Sequence, residues 1–109
     1  MAFADNLKKL PGISHLAGLQ LLGAEGAVVS TIENKPGSQG SLAVYNHLAQ
    51  TYGAISAEAA AHGLELFAEH TEDARINPGR HPNIDRLLAI VAGGEPLSVK
   101  HLFAPPPQV

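Results

Sequence analysis

The sequence predicts an α+β fold, in which an N-terminal β-hairpin and a C-terminal strand form a small antiparallel sheet with three helices packed on one face. Two observations predict this fold. Strand-like stretches lie near both ends of the chain, whereas apolar residues in the central half repeat at helical spacing. Strands grouped at the ends, with helices between them, are typical of α+β rather than alternating α/β proteins. The chain shows no internal repeat, so we expect one domain over residues 1–103.

The first predicted elements are a short helix and the hairpin. FADNLKKL can form a helix that Asp5 caps and Pro11-Gly12 ends. The hairpin is predicted at residues 16–33, because the β-branched residues of VVSTI suit a pleated strand. GAEG supplies the glycines for the reversal between its two arms.

Three longer helices are predicted in the centre of the chain. The first should begin at the N-cap Ser41 and end at Gly53, and it places Asn46, His47 and Gln50 opposite an apolar arc of Leu42, Tyr45, Leu48, Ala49 and Tyr52. The second should run from the N-cap Ser56 to Pro78-Gly79.

Within the second helix, Gly63 indicates that a neighbouring element comes close. The third helix should start at Pro82 and end near Gly93. Residues 97–103 alternate well enough for the last strand, and residues 104–109 form a Pro-rich tail with too few donors to join a sheet.

Composition excludes several classes of function. The 109 residues contain no cysteine, which excludes disulfides, thiolate metal sites and cysteine nucleophiles. A net charge of −3 predicts no nucleic-acid partner and no attraction to an anionic membrane. No segment has the pattern of a bilayer span or a signal peptide, so we predict a cytoplasmic protein. Charged residues make up only 16% of the chain, which favours a homo-oligomer.

The loop NKPGSQGS, residues 34–41, is the first candidate binding site. It precedes a predicted helix, whose unpaired N–H groups and dipole attract anions. Lys35, Ser38, Gln39 and Ser41 could add a charge and polar donors. The P-loop and dinucleotide patterns are both absent, and a Pro-Gly turn followed by a serine cap also explains the loop.

A second candidate is the connection at residues 75–83, where Arg80 and His81 precede the helix that starts at Pro82. Arginine offers a planar, bidentate clamp for a carboxylate or phosphate. Local salt bridges to the neighbouring acids are the structural alternative. The two loops would form one site if they met in space, which the sequence alone does not establish.

A third candidate is the helix face at residues 62–73. His62, Glu69, His70 and Asp73 combine imidazole and carboxylate, the ligands that suit zinc, manganese or iron. A further ligand would have to come from His47 or His81, and no H-E-x-x-H motif is present. The alternative is an acidic helix face that points to water.

Two stretches, IENKPGSQGSLAVYNHLAQ (residues 32–50) and EHTEDARINPGRHPNIDRLL (residues 69–88), resemble a small bacterial protein family that is classified as a domain of unknown function. The resemblance extends over nearly the whole chain. It implies a bacterial, cytosolic protein, and it brings no activity and no catalytic residue.

These observations favour a non-enzymatic module that binds a small anionic ligand or a protein partner through the 34–41 and 75–83 loops. Its binding residues would be Lys35, Ser38, Gln39, Ser41, Arg80 and His81. The alternative is a small metal- or histidine-dependent enzyme that uses the 62–73 face. We assign no cofactor and no catalytic residue, and the sequence leaves open whether the protein is an enzyme.

Overall fold

The computed structural model describes residues 2–105, and in it the chain forms five α-helices and three strands in the order α1 (Phe3–Leu7), β1 (Leu16–Leu22), β2 (Val28–Glu33), α2 (Gln39–Tyr52), α3 (Ala57–Phe67), α4 (Glu69–Ile76), α5 (Pro82–Val91) and β3 (Ser98–Phe103). A short 3₁₀ turn, Ala24–Gly26, joins β1 to β2. The predicted α+β class is confirmed. Of the predicted Pro-rich tail, residues 106–109 lie outside the described part.

The three strands form one antiparallel sheet in the order β2-β1-β3, so the C-terminal strand pairs with the first arm of the hairpin. Leu19 lies opposite Ile32 of β2 on one side and His101 of β3 on the other. Leu19, Leu21 and Ile32 are buried and belong to the main core cluster. The predicted hairpin and the predicted last strand are therefore both present.

Helix α2 lies at the centre of the core, in contact with β1 and β2 and with α3. Because neighbours cover more than one of its sides, the single polar arc predicted for this helix is wrong in part. Asn46, predicted to be polar and outward, is fully buried, and its Oδ1 lies 3.0 Å from His101 Nε2. Tyr52, predicted to be in the core, is 37% exposed.

The helix ends show which capping predictions hold. The side chain of Ser56 accepts a hydrogen bond from the Ala59 N–H, and Gly53 ends α2 in a left-handed conformation, as predicted. The predicted cap Ser41 is wrong, because α2 starts three residues earlier, at Gln39, and Ser38 takes the N-cap position. Asp5 is not a cap either, since α1 starts at Phe3 and contains it.

The prediction of three packed helices is too low, because the long helix expected after Ser56 divides at Ala68 into α3 and α4. Ala68 has φ 52° and ψ −116°, a conformation that glycine adopts with much less strain than alanine. The Thr71 hydroxyl donates a hydrogen bond to the Leu64 carbonyl oxygen at 2.7 Å, so it satisfies one of the carbonyls that α3 leaves unpaired.

Gly63 marks a close approach between helices, as its position in the sequence predicted. A Cβ atom there would lie 2.8 Å from Cδ1 of Leu48 in α2 and 2.8 Å from Cδ1 of Leu87 in α5. Both leucines are fully buried, so they have little room to move. Because glycine has no side chain, α3 can pack closely against both α2 and α5 at residue 63.

A polar network around the buried Tyr45 side chain joins the start of α5 to α2 and to the sheet. The Tyr45 hydroxyl donates a hydrogen bond to the Asn83 carbonyl oxygen at 2.5 Å. The Arg86 guanidinium donates to the Tyr45 hydroxyl oxygen at 3.1 Å, to Asn83 Oδ1 at 2.9 Å and to Ser30 Oγ at 2.9 Å. Burial raises the pKa of Tyr45 to about 12, although Arg86 opposes the shift, so the hydroxyl keeps its proton.

Within residues 2–105, none of the helices combines the length and the apolar composition that crossing a bilayer requires.

We predict that Ala68→Gly stabilises the protein, because glycine adopts the conformation of residue 68 without steric strain. The relief should exceed the entropic cost of glycine, giving a gain of about 1 kcal/mol in the free energy of unfolding. Chemical denaturation measures this difference. The matched control is Ala61→Gly on the exposed side of α3, which should lose about 1 kcal/mol. Equal losses in both variants would contradict the strain at Ala68.

Candidate functional site

A cleft of about 550 Å³ opens between the first turns of α2 and α5. We call it the α2–α5 cleft. One side of it is apolar and includes Phe3 and Leu7 of α1 with Phe67 of α3. Its volume lies within the range of pockets that hold small organic molecules.

The cleft brings together four of the six residues that the sequence predicted to bind a ligand. Gln39 and Ser41 come from the 34–41 loop and the first turn of α2, and Arg80 and His81 come from the 75–83 connection. The two loops therefore meet at one place, although about forty residues separate them in the chain.

The other two predicted binding residues are not among those that line the cleft. The Lys35 ammonium lies 3.5 Å from the Glu33 carboxylate, and both side chains are well exposed. The Ser38 hydroxyl donates to the carbonyl oxygens of Glu33, at 2.5 Å, and of Lys35, at 3.3 Å. The side chains of both residues thus make contacts within the turn that leads into α2.

Neither helix start at the cleft has a side-chain cap. The side chains of the N-cap residues Ser38 and His81 accept no hydrogen bond from the first turn of their helices. The first N–H groups of a helix have no partner within that helix, and the helix dipole gives this end a partial positive charge. Two such ends face the same cleft, through residues 39–41 of α2 and Asn83 of α5.

Arg80 supplies the only Lys or Arg side chain among the residues that line the cleft. Its Nε lies 3.8 Å from Asp73 Oδ2, and the side chain is 65% exposed. Among the hydrogen bonds within residues 2–105, none involves the terminal nitrogens of this guanidinium. The guanidinium can therefore present a bidentate fork to an anion.

His81 is held by a carboxylate. Its Nε2 lies 2.6 Å from Asp73 Oδ2. The hydrogen bond from His81 is the main reason that the pKa of Asp73 lies below its usual value, and Asn77 and Arg80 lower it further, while partial desolvation opposes them. Asp73 is therefore ionised at neutral pH, and its charge holds the proton of the imidazole on Nε2.

The four predicted metal ligands do not converge. His62 lies against His47, with 5.6 Å between ring centroids, and its Nδ1 is 3.1 Å from the Tyr52 hydroxyl. Glu69 Oε1 accepts a hydrogen bond from the Phe3 N–H at 2.8 Å, which is the main cause of its lowered pKa. His70 and Asp73 lie on α4 near His81.

The break at Ala68 explains this separation, because it ends the single helical face on which the metal prediction depended. Across residues 2–105, no group of three or more His, Cys, Asp and Glu side chains is placed to hold a metal ion.

Sequence reasoning missed the aromatic part of the cleft. Phe67 falls inside the second of the three long helices that the sequence predicts, and Phe3 belongs to a short helix with no apolar pattern of its own, so neither residue is a candidate on sequence grounds. Both rings line the cleft, and they stack on each other with centroids 5.3 Å apart. Only the contact between α1 and α3 makes them part of the site.

A comparison with known protein families matches residues 3–101 to a family described as "Uncharacterized protein conserved in bacteria (DUF2322)". The chain belongs to this family, as the resemblance of the two quoted stretches predicted. Comparisons with curated proteins and with solved structures gave no significant match.

Proposed function

We propose that this member of the DUF2322 family binds a small molecule with a carboxylate or phosphate group in the α2–α5 cleft. One observation carries the proposal: two uncapped helix starts and the Arg80 guanidinium line the same cleft. Each helix start favours an anion through its dipole. The first turn of α2 also offers the N–H groups of residues 39–41, whereas the first turn of α5 offers that of Asn83, because Pro82 has no N–H and the Ile84 N–H donates to the His81 carbonyl oxygen. The guanidinium adds a full charge and directional donors.

The carboxylates near the cleft already accept hydrogen bonds from other groups of the protein, so they repel a bound anion less than free carboxylates would. Asp85 Oδ2 accepts a hydrogen bond from the Gly79 N–H at 2.9 Å. Asp73 is hydrogen-bonded to His81 and lies close to Arg80. The N–H groups of residues 39–41 and of Asn83 remain available, so the space beside them is the most favourable position for the negative group of a ligand.

Self-association, which the low content of charged residues favours, and a cytoplasmic location, which the sequence pattern favours, stay predictions. Both are independent of the α2–α5 cleft.

We predict that Arg80→Gln weakens the binding of citrate or inorganic phosphate about 10- to 100-fold, because a charge-assisted hydrogen bond is lost. Isothermal titration calorimetry at physiological salt measures this change. The matched control is Lys35→Gln, which removes one positive charge from a well-exposed side chain that does not line the cleft. At this ionic strength the control should bind as the wild type does. Equal losses in the two variants would show a general charge effect and would contradict a site at the cleft.

A second candidate function is histidine-dependent hydrolysis in the same cleft, and the bond between Asp73 and His81 is the observation that favours it. With the proton on Nε2, His81 Nδ1 has a lone pair, and no hydrogen bond within residues 2–105 occupies it. An imidazole oriented in this way by a carboxylate can remove a proton from water as the water attacks an ester carbonyl.

This candidate predicts that the protein hydrolyses p-nitrophenyl acetate and that His81→Gln lowers the rate at least about tenfold, since general base catalysis is worth 10²- to 10⁴-fold in typical enzymes. Release of p-nitrophenolate is the measurement. His62→Gln, which alters a histidine of α3 outside the cleft, should keep the wild-type rate. A wild-type rate no faster than that of His81→Gln would eliminate this function and would leave anion binding untouched.

A further inference from the structure

We infer that the ligand of the α2–α5 cleft carries its anionic group on a flat aromatic body, an inference that rests on the proposed anion-binding function. The observation behind it is a continuous row of aromatic rings along the wall of the cleft, formed by Phe67, Phe3, His70 and His81. We call this row the aromatic strip.

The rings of the aromatic strip contact one another in sequence. Phe3 stacks on Phe67 with 5.3 Å between centroids and an interplanar angle of 21°. The edge contact between Phe3 and His70 has a centroid distance of 5.0 Å, and His70 lies 5.7 Å from His81. These distances fall in the range of favourable aromatic pairs. The strip therefore crosses from the apolar side of the cleft to the polar side.

Exposure shows which rings a ligand could touch. Phe67 is only 3% exposed and supports the strip from the core, whereas Phe3, His70 and His81 are partly exposed at the cleft. Partly exposed aromatic surface beside polar groups is typical of a binding pocket, because burying it under a ligand is favourable.

The strip ends beside the proposed anion site. His81 is adjacent in the chain to Arg80 and is the N-cap of α5. At the α2 side, a Cβ atom on Gly40 would lie 3.0 Å from Cζ of Phe3, so the glycine lets the ring lie directly against the first turn of α2. A ring that stacks on the strip thus has its anionic substituent within the region of Arg80 and the two helix starts.

The anion site and the aromatic strip together select one class of molecule. The anion site alone would be satisfied by inorganic phosphate, but a cleft of about 550 Å³ has room for a much larger ligand. Aromatic rings stack on flat π-systems more favourably than their contact area alone would give. The chemical class is therefore an aromatic or heteroaromatic carboxylate or phosphate monoester.

Two pairs of ligands test this inference on the wild-type protein by calorimetry. Phenyl phosphate should bind about three- to tenfold more tightly than methyl phosphate, which has the same anionic group without the ring. Benzoate should likewise bind more tightly than cyclohexanecarboxylate, which is apolar but not flat. Equal affinity within either pair would overturn the aromatic inference, although binding of the small anions would preserve the proposed function. Failure of all four to bind would overturn both.

A pair of variants links the preference to the strip. Phe3→Leu keeps an apolar side chain but removes a ring, and it should abolish the preference for phenyl over methyl phosphate. The control is Phe103→Leu, which alters a phenylalanine that is 69% exposed on β3 and does not line the cleft. This control should keep the preference. An unchanged preference in Phe3→Leu would overturn the inference, and since the ligand pairs are measured on the wild type, the test does not depend on how well this variant folds.

Discussion

The bond from the buried Tyr45 hydroxyl to the Asn83 carbonyl oxygen is the constraint on which the cleft depends. It joins the middle of α2 to the first turn of α5. The Arg86 guanidinium stabilises this contact, because it donates hydrogen bonds to Tyr45, Asn83 and Ser30. Because Tyr45 is fully buried, its hydroxyl needs these partners, and the network therefore stabilises this placement of α5 against α2. That arrangement directs the starts of both helices into the same cleft.

The remaining features of the site follow from this arrangement. Gly63 allows α3 to contact α2 and α5 together, and the break at Ala68 turns α4 away from the direction of α3. Asp73 of α4 then reaches His81 at the N-cap of α5. The side-chain amide of Asn6 donates a hydrogen bond to the Leu66 carbonyl oxygen, which holds α1 and its Phe3 ring over the end of α3. The packing of helices, rather than one loop, builds the cleft.

Local signals in the sequence predicted much of this fold. β-Branched residues marked β2, Ser56 and Gly53 marked helix ends, and Gly63 marked a close contact. The errors arose where tertiary packing overrides a local pattern. Asn46 occupies a polar position on a helical wheel, but the sheet covers that side of α2. Nothing in the composition of α3 and α4 reveals the break at Ala68, because alanine is the strongest helix former.

The sequence could predict individual candidate residues but not which of them lie together. A helix start next to basic residues is visible in sequence, so Arg80 and His81 could be named as candidates, and both line the α2–α5 cleft. That they meet Gln39 and Ser41 depends on contacts between residues about forty positions apart, which no local pattern encodes. The sequence also does not show that Lys35 lies 3.5 Å from the Glu33 carboxylate and is not among the residues that line the cleft.

An NMR titration with inorganic phosphate tests the central claim most directly, because it observes the backbone amides of both helix starts at once. In the wild type, the N–H signals of residues 39–41 and Asn83 should shift together with a single dissociation constant. In Tyr45→Phe this shared response should weaken, while Tyr52→Phe, which alters a partly exposed hydroxyl, should leave it intact. Shifts confined to one helix start, or an unchanged response in Tyr45→Phe, would contradict a site built by joining the two helices.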